Sequence, residues 1–326
     1  MLNSRFTKCM ISNPLISICI PAYKNTDFLA RLLDSITIQR FKNFEVVVTD
    51  DSPEEAVGAL CREYETRIPL RYYRNDRQLG TPENWNEGVR KARGEWIKIM
   101  HDDDWFSDDG SLEKFAMAVV MHPEAGFIFS AYRDVFLDEG RERLMFVPKR
   151  RYQAFLRDPA VLFSRNIIGP PSVVMYRRSL PVQFDRAVKW VVDIDFYIRA
   201  LAGQMKPYYI GEVLINVGLG RQQVTMDCKR QRMVEIPENF YLLNKVGYAS
   251  LGNVLVYDAW WRLMRNLEIR QREDITGSGY SGPIPDVILS MVRWQRMLSF
   301  RWWRIGILSK TGMFLHYLFH YIQITA

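Results

Sequence analysis

Over roughly its first 130 residues the chain alternates short apolar runs with amphipathic segments. Residues 15–20, Leu-Ile-Ser-Ile-Cys-Ile, form a nearly continuous apolar run that stops at Pro21, the pattern of a strand buried on both faces. Residues 27–39 place Leu29, Leu32, Leu33 and Ile36 at helical spacing, with Asp27 near the start. The same reading predicts strands at 44–49, 70–74, 95–100 and 127–130, and helices at 54–65, 83–93 and 111–121, with Gly94 closing the second of these helices. Alternating β and α elements imply a parallel sheet with right-handed crossovers. Beyond residue 131 the pattern is less regular. Strands are expected at 172–176 and 208–215, with a helix at 193–202 between them. From residue 231 the chain reads as helical, broken by a Gly/Ser/Pro stretch at 276–285 that is expected to be a flexible loop. No internal repeat is visible. The expected fold class is α/β: a Rossmann-like, mostly parallel sheet flanked by helices, with a C-terminal helical extension.

Composition narrows the function without choosing it. The 326 residues are 48% hydrophobic and 25% charged, which excludes wholesale disorder. A net charge of +7 suits a protein that meets anions, whether nucleotides, an acidic membrane surface or nucleic acid. Cys9, Cys19, Cys61 and Cys228 form no CxxC pair, so a structural zinc site is not expected, and a reduced compartment fits best. Cys19 reads as a small core hydrophobe. Residues 1–13 lack the apolar stretch of a secretory signal, and no apolar run reaches the roughly 18–20 residues of a membrane span. The expectation is a cytoplasmic protein, soluble or peripheral at the inner face of the cell membrane.

Ligands of open parallel sheets gather beyond the carboxyl ends of the strands. There the chain reads Pro21-Ala22-Tyr23, then Thr49-Asp50-Asp51-Ser52, then His101-Asp102-Asp103-Asp104-Trp105. Three consecutive acids repel one another unless a cation sits among them. Hard oxygen ligands in a loop suit Mg²⁺ or Mn²⁺, which usually bring a substrate phosphate as co-ligand. The plainer reading, a solvated acidic turn, weakens once Asp50 and Asp51 end an earlier strand on the same edge.

Two stretches, LISICIPAYKNTDFLARLLDSITIQRFKNFEVVVTDDSP and RNDRQLGTPENWNEGVRKARGEWIKIMHDDDWF, together resemble the N-terminal half of family 2 glycosyltransferases of the GT-A fold. The resemblance runs from residue 15 to 105 and more weakly to 225. It implies that Pro21 and Tyr23 line a base pocket, that Asp51 accepts a hydrogen bond from the base edge, and that Asn84 faces the nucleotide. It also implies that Asp102–Asp104 is the metal-binding region, with His101 standing where many relatives have the first Asp. Asp104, with Asp103 beside it, is the expected metal pair, and Asp102 and Asp103 are expected near the nucleotide-sugar. Val-Asp-Ile-Asp-Phe at 192–196 resembles the family's acidic pair, which makes Asp193 the candidate base and Asp195 the alternative; on local sequence alone a helix N-cap is the competing reading. Gly218–Thr225, GLGRQQVT, lacks the His of the family's downstream motif, and Arg221 is left to serve the phosphates. The implied activity is inverting transfer of a sugar from a nucleoside diphosphate, UDP by default, to an acceptor hydroxyl. A divalent cation, Mn²⁺ or Mg²⁺, is the implied cofactor, and the acceptor is expected to be a saccharide or lipid-linked saccharide in cell-surface polysaccharide synthesis. A sugar nucleotidyltransferase would want a Gly-rich, Arg-containing loop after the first strand, where this chain has PAYKN. A non-catalytic scaffold of the same fold is the remaining alternative.

These readings divide the chain into a nucleotide-sugar and catalytic domain at 1–228 and a helical, basic, aromatic region at 229–326. In the latter, Met291, Trp294, Leu298, Trp302 and Ile305 stand at helical spacing among Arg296, Arg301 and Arg304. Trp beside Arg suits a membrane interface, and equally a helix packed on the catalytic domain. No nucleic-acid recognition module is present, so nucleic acid is not an expected partner. His316 and His320 are four apart with no acid between them, which argues against zinc. Gly277–Gly282 matches GxGxxG but follows no strand and precedes Pro283, so it is not read as a dinucleotide site.

Overall fold

A computed structural model describes residues 14–203, 205–220, 231–297, 299–303 and 305–325. The chain forms two compact units. The first comprises the described parts of Met1–Val147, Ile168–Arg186 and Gly203–Gly220; the second those of Pro148–Ile167, Ala187–Ala202 and Arg221–Ala326. Two segments from within the first 228 residues therefore fall in the second unit, which is otherwise built from the C-terminal region.

The first unit is a nine-stranded sheet in the order β3-β2-β1-β4-β8-β6-β9-β5, with β7 also pairing with β6. Its strands are β1 (Ile16–Ala22), β2 (Phe44–Asp50), β3 (Leu70–Arg74), β4 (Trp96–Ile99), β5 (Trp105–Phe106), β6 (Ala125–Phe136), β7 (Arg141–Met145), β8 (Val174–Arg177) and β9 (Lys206–Leu219). β1 pairs in parallel with β2 and β4, and β2 with β3, so the carboxyl ends of these four strands lie on one edge. That is the expected parallel core. Beyond β4 the sheet becomes mixed: β8 runs antiparallel to β4 and β6, while β6 and β9 are parallel. β2 is buried along its whole length, which explains why its sequence is a continuous run and not an alternation.

Four helices belong to this unit: α1 (Thr26–Thr37), α2 (Ala56–Tyr64), α3 (Glu83–Lys91) and α4 (Ser111–Met121). Asn25 caps α1 by accepting the Phe28 N–H at 3.0 Å, and Leu29, Leu32, Leu33 and Ile36 are its buried face. Gly94 is required where the chain leaves α3, because a Cβ there would lie 2.6 Å from the Ser17 backbone nitrogen. Beside it the amino ends of the strands are tied by one buried acid. Glu45 accepts from Ser17 Oγ at 2.6 Å, from the Arg93 N–H at 2.6 Å, and from Arg71 Nε and Nη2 at 3.1 and 2.6 Å.

The second unit is helical: α5 (Lys149–Arg157), α6 (Val192–Leu201), α7 (Arg232–Val246), α8 (Val254–Asn266), α9 (Arg272–Thr276), α10 (Asp286–Arg296), α11 (Phe300–Trp303) and α12 (Gly306–Thr325). Its core is Phe240, Tyr257, Trp260, Trp261, Met264, Ile288 and Met291. The stretch read as a flexible loop is pinned instead. Tyr280 stacks on Phe240 at 4.5 Å, and its hydroxyl donates to the Pro283 carbonyl at 2.8 Å. The aromatic stripe is not one helix, since α10 ends at Arg296 and α11 starts at Phe300; Leu298 and Arg304 lie outside the described residues. His316 and His320 sit in a closed polar network. Tyr257 Oη meets His316 Nδ1 at 2.6 Å, and Ser290 Oγ lies 3.1 Å from Nε2 of each histidine. His320 Nδ1 completes the network, 3.0 Å from the His316 carbonyl oxygen.

Burial raises the Glu45 pKa, but the Ser17, Arg93 and Arg71 hydrogen bonds outweigh it and hold the group below the usual glutamate range. Its stabilising effect is therefore complete above about pH 4.3 and lost as the pH falls through the lower folded-state value. Removing one partner of a buried pair costs about 3–5 kcal/mol, so Glu45→Ala should lower the urea midpoint at pH 7 clearly. A variant unfolding at the wild-type midpoint would show that this tie does not hold the strand ends.

Candidate functional site

The carboxyl edge of β1, β2 and β3 opens into a cleft of about 400 Å³ lined by Tyr23, Asp51, Ser52, Pro53, Arg74, Asn75, Asp76, Arg77 and Gln78. Tyr23 is 43% exposed, so its ring is available to a planar ligand. Lys24 after it takes a left-handed backbone (φ 63°), unusual for a side-chain-bearing residue, and its N–H donates to Ser52 Oγ at 2.7 Å, joining the ends of β1 and β2.

Asp51 is buried and organises the loop after β3. Oδ1 accepts from Asn75 Nδ2 at 2.6 Å and the Leu79 N–H at 3.1 Å, and Oδ2 accepts from the Gly80 N–H at 2.7 Å. A carboxylate offers about four acceptor positions, and these donors take three of them. Asn84 lies beneath the cleft and is not among its lining residues. Its Nδ2 donates to the carbonyls of Thr49 at 3.0 Å and Ala22 at 3.5 Å, and its Oδ1 accepts from Asn75 at 2.9 Å. It clamps the strand ends and holds Asn75 on Asp51. Pro21 stays within β1, paired with Thr49, and is likewise outside the lining. Asn75, Arg74 and Arg77 were not singled out by the sequence reading, although they lie in or beside the quoted RND stretch.

The loop after β4 carries the acids. The backbone N–H of Tyr23, beside the cleft, lies near the Asp102 carboxyl and favours its charged form. Burial and then the Asp103 charge push its pKa up to about 7. Asp104 is almost fully buried; its Oδ1 accepts from the Gly218 N–H at 3.1 Å, and it accepts from the Ser172 hydroxyl. Burial, reinforced by Asp103, drives its pKa well above the carboxylate range. The backbone of Asp103 is held by Arg31, whose Nη2 donates to its carbonyl at 2.8 Å while the guanidinium lies 3.8 Å over the Trp105 ring. Short β5 then locks the chain onto β9, pairing Trp105 with Asn216. Gly218 must be glycine, since a Cβ there would lie 2.3 Å from the Asp103 carbonyl oxygen.

Among the described residues, one group of side chains is arranged to hold a metal: His101, Asp103 and Asp104, with ligand atoms all within 4.8 Å of one another. His101 packs against Trp85 at 4.7 Å, and its buried Nε2 has no protein hydrogen-bond partner. Desolvation lowers its pKa, which favours the neutral imidazole that ligates metals. An orphan ring nitrogen beside two carboxyl groups, one of them the buried Asp104 with its raised pKa, is what a divalent cation would resolve, so the donor set fits one.

Ser172 supports this set from behind. Its Oγ accepts from the His101 N–H at 2.9 Å, and its carbonyl accepts from fully buried Lys98, whose pKa burial pushes down to about 7. A lysine inside the apolar run of β4 was the available signal for Lys98; nothing local in the sequence marks Ser172.

Asp193 and Asp195 open α6 in the second unit. Asp193 accepts from Asn166 Nδ2 at 2.7 Å and the Ile194 N–H at 2.9 Å, and burial raises its pKa to about 6. Fully buried Asp195 is committed to two cations, accepting from Arg199 Nε at 2.9 Å and Lys245 Nζ at 2.7 Å. Neither acid is the N-cap, which is Val191. Glu238 does that work, accepting the N–H groups of Lys189, Trp190 and Val191 at 2.9, 2.7 and 3.1 Å. Arg221 lies outside the described residues.

The family model described as "Glycosyl transferase family 2" matches residues 17–180. An uncharacterised glycosyltransferase of Haemophilus influenzae is 27% identical over 203 residues, 61% of this chain and 67% of that one. A Mycobacterium tuberculosis protein is 32% identical over 58% of this chain and 63% of its own length. The match to the putative colanic acid biosynthesis glycosyl transferase WcaA of Escherichia coli is 24%, over 68% of this chain and 79% of that one. Against the first of these relatives, then, the chain spans about two thirds of their length or less. Among solved structures, Staphylococcus aureus TarS 1-349 in complex with UDP-GlcNAc gives a TM-score of 0.62 at 16% identity, covering 95% of this chain and 90% of that one. The Pyrobaculum calidifontis mannosyltransferase PcManGT, in complex with GDP-Man and Mn2+, gives 0.57 at 13%, covering 95% and 87%. At these identities the structural matches show a shared GT-A-type fold.

Outer-shell partners of a metal site are typically worth about 10–100-fold in affinity. Ser172→Ala, which removes hydrogen bonds to both His101 and Asp104, should weaken Mn²⁺ binding by that factor while leaving far-UV circular dichroism unchanged. Wild-type Mn²⁺ affinity in the folded variant would show that the acids are not held from this side.

Proposed function

The chain belongs to glycosyl transferase family 2, and we propose that it transfers a sugar, with inversion, from a nucleoside diphosphate to the hydroxyl of a saccharide or lipid-linked saccharide. The observation that carries this reading is the position of Tyr23. Its side chain lines the cleft while its backbone N–H lies near the Asp102 carboxyl, so one residue borders both the cleft and the acid loop. In this reading Tyr23 packs on the base and the last acceptor position of Asp51 takes a hydrogen bond from the base edge. Uracil is the default base; Arg74 and Arg77 line the cleft alongside Asp51 and Asp76, and Arg74 is paired with Glu55. Asn84 and Pro21 act by shaping the strand ends.

Asp103, Asp104 and His101 would hold a divalent cation, Mn²⁺ or Mg²⁺, which supplies a counter-charge for the departing diphosphate. TarS bound to UDP-GlcNAc and PcManGT bound to GDP-Man and Mn2+ support a nucleotide-sugar donor and a metal here by analogy of fold. Asp193 is the proposed base. The acceptor oxygen forms a bond to the anomeric carbon as the bond from that carbon to the diphosphate oxygen breaks. Asp193 takes the hydroxyl proton and the nucleoside diphosphate leaves. Asp195, held by Arg199 and Lys245, positions α6. A role in cell-surface polysaccharide synthesis at the inner membrane face belongs to the same proposal, with residues 1–228 as the donor-binding and catalytic part.

A base must be ionised to accept a proton. With the Asp193 pKa near 6, the rate should rise as the pH climbs through about 6 and level off above it. Asp193→Asn should lower kcat by roughly 10²–10⁴-fold, leave nucleotide binding in place and abolish that rise. Steady-state release of the nucleoside diphosphate across pH measures both. A variant that keeps wild-type kcat would remove Asp193 from the chemistry.

A further inference from the structure

We propose that the C-terminal helices form a docking surface for an anionic lipid bilayer, with the outward face of α12 entering the headgroup region. The proposal rests on the second unit's own surface and not on the sugar-transfer reading, so either can fail alone.

α12 is apolar on two opposite sides. Its inward side, Met313, His316, Tyr317 and His320, is buried against the rest of the bundle; Tyr317 lies edge-on to Tyr257 at 5.0 Å, and its hydroxyl donates to the Gly252 carbonyl at 2.6 Å. Its outward side carries Ile307, Phe314, Leu315, Leu318 and Phe319, spaced i, i+7, i+8, i+11 and i+12, all exposed, with Ile307 at 83% and Phe319 at 74%. Lys310 and Thr311 are the polar residues of that stripe. A helix apolar all round is normally enclosed, and a stripe of this length left open marks an interaction surface. Trp302, Ile305 and Met297, just before it, are exposed as well.

Charge selects the partner. After Asp286 the sequence contains no Asp or Glu through residue 326. Arg293, Arg296, Arg301 and Lys310 are exposed in the same segment. Cations flanking open Ile, Leu, Phe and Trp match anionic headgroups above acyl chains. Nucleic acid would engage the cations but leave the apolar stripe unused. A second copy of the same surface would oppose like charges across a twofold axis. No helix among the described residues is long and apolar enough to cross a membrane, so the fitting mode is shallow insertion parallel to the surface.

The test is flotation of the full chain with phosphatidylcholine vesicles, alone or with roughly one third phosphatidylglycerol, at low and near-physiological salt. The protein should float with the anionic vesicles, less with neutral ones, and less as salt rises. Ile307→Ser with Phe319→Ser should weaken binding by at least about tenfold without changing the far-UV spectrum, because both side chains are exposed. Arg301→Glu with Lys310→Glu should weaken it in the same direction and flatten the salt dependence. Folded wild type that stays off anionic vesicles would overturn the proposal, as would both double variants floating like wild type. A wild-type dimer that the Ser variant turns into monomer, with no flotation of wild type, would assign the face to a second copy and overturn it equally.

Discussion

Three consecutive carboxyl groups in a partly buried loop are the constraint on which the candidate site depends. Left alone, Asp102, Asp103 and Asp104 would repel one another and lose hydration. The fold offsets this from three directions: the Tyr23 N–H, just past the end of β1, lies near Asp102, and the Ser172 hydroxyl and the Gly218 N–H from β9 donate to Asp104. Each donor arrives because a sheet pairing delivers it. β1 beside β4 brings Tyr23, β8 beside β4 brings the turn containing Ser172, and β5 against β9 brings Gly218. Burial still leaves Asp102 and Asp104 with raised pKa values and His101 with an orphan nitrogen. That residual tension is the physical reason to assign a cation here, where a solvated acidic turn would be relaxed without one.

The second unit separates two aspartates that the sequence treats alike. Asp195 is neutralised by Arg199 and Lys245, which fixes α6 to α7. Asp193, two residues earlier, has an amide and a backbone N–H as partners and, among the described residues, no cation, so burial can lift its pKa into the range where a carboxylate is a useful base. Glu238 relieves both of capping duty at the helix start.

Much of the sheet was legible because burial leaves a strong mark on composition. β1, β2 and β4 are enclosed and read as apolar runs, and the acids at their ends are conspicuous against that background. β5 and β7 were not legible: one is two residues long, and the other is almost wholly exposed, so neither carries a period. α5 was missed because Phe155 is its sole buried residue. At the site, Tyr23, Asp51 and the Asp102–Asp104 loop could be named from motif order. Ser172, Gly218 and Asn75 could not, because they act through hydroxyl, backbone and amide groups brought in by tertiary pairing. Asn84 was legible in place but not in role, since its amide is consumed by the strand ends and Asn75.

The central claim is that the cleft and the acid loop form one metal-assisted nucleotide site. Calorimetry with UDP, GDP and dTDP, with and without Mn²⁺, on wild type and Asp104→Ala tests it most directly. The account predicts that one of these nucleotides binds tightly when Mn²⁺ is present, that removing the metal weakens it, and that Asp104→Ala binds as wild type does without metal. Folded protein that binds none of them, or binds one equally well with and without Mn²⁺ in both forms, would contradict it.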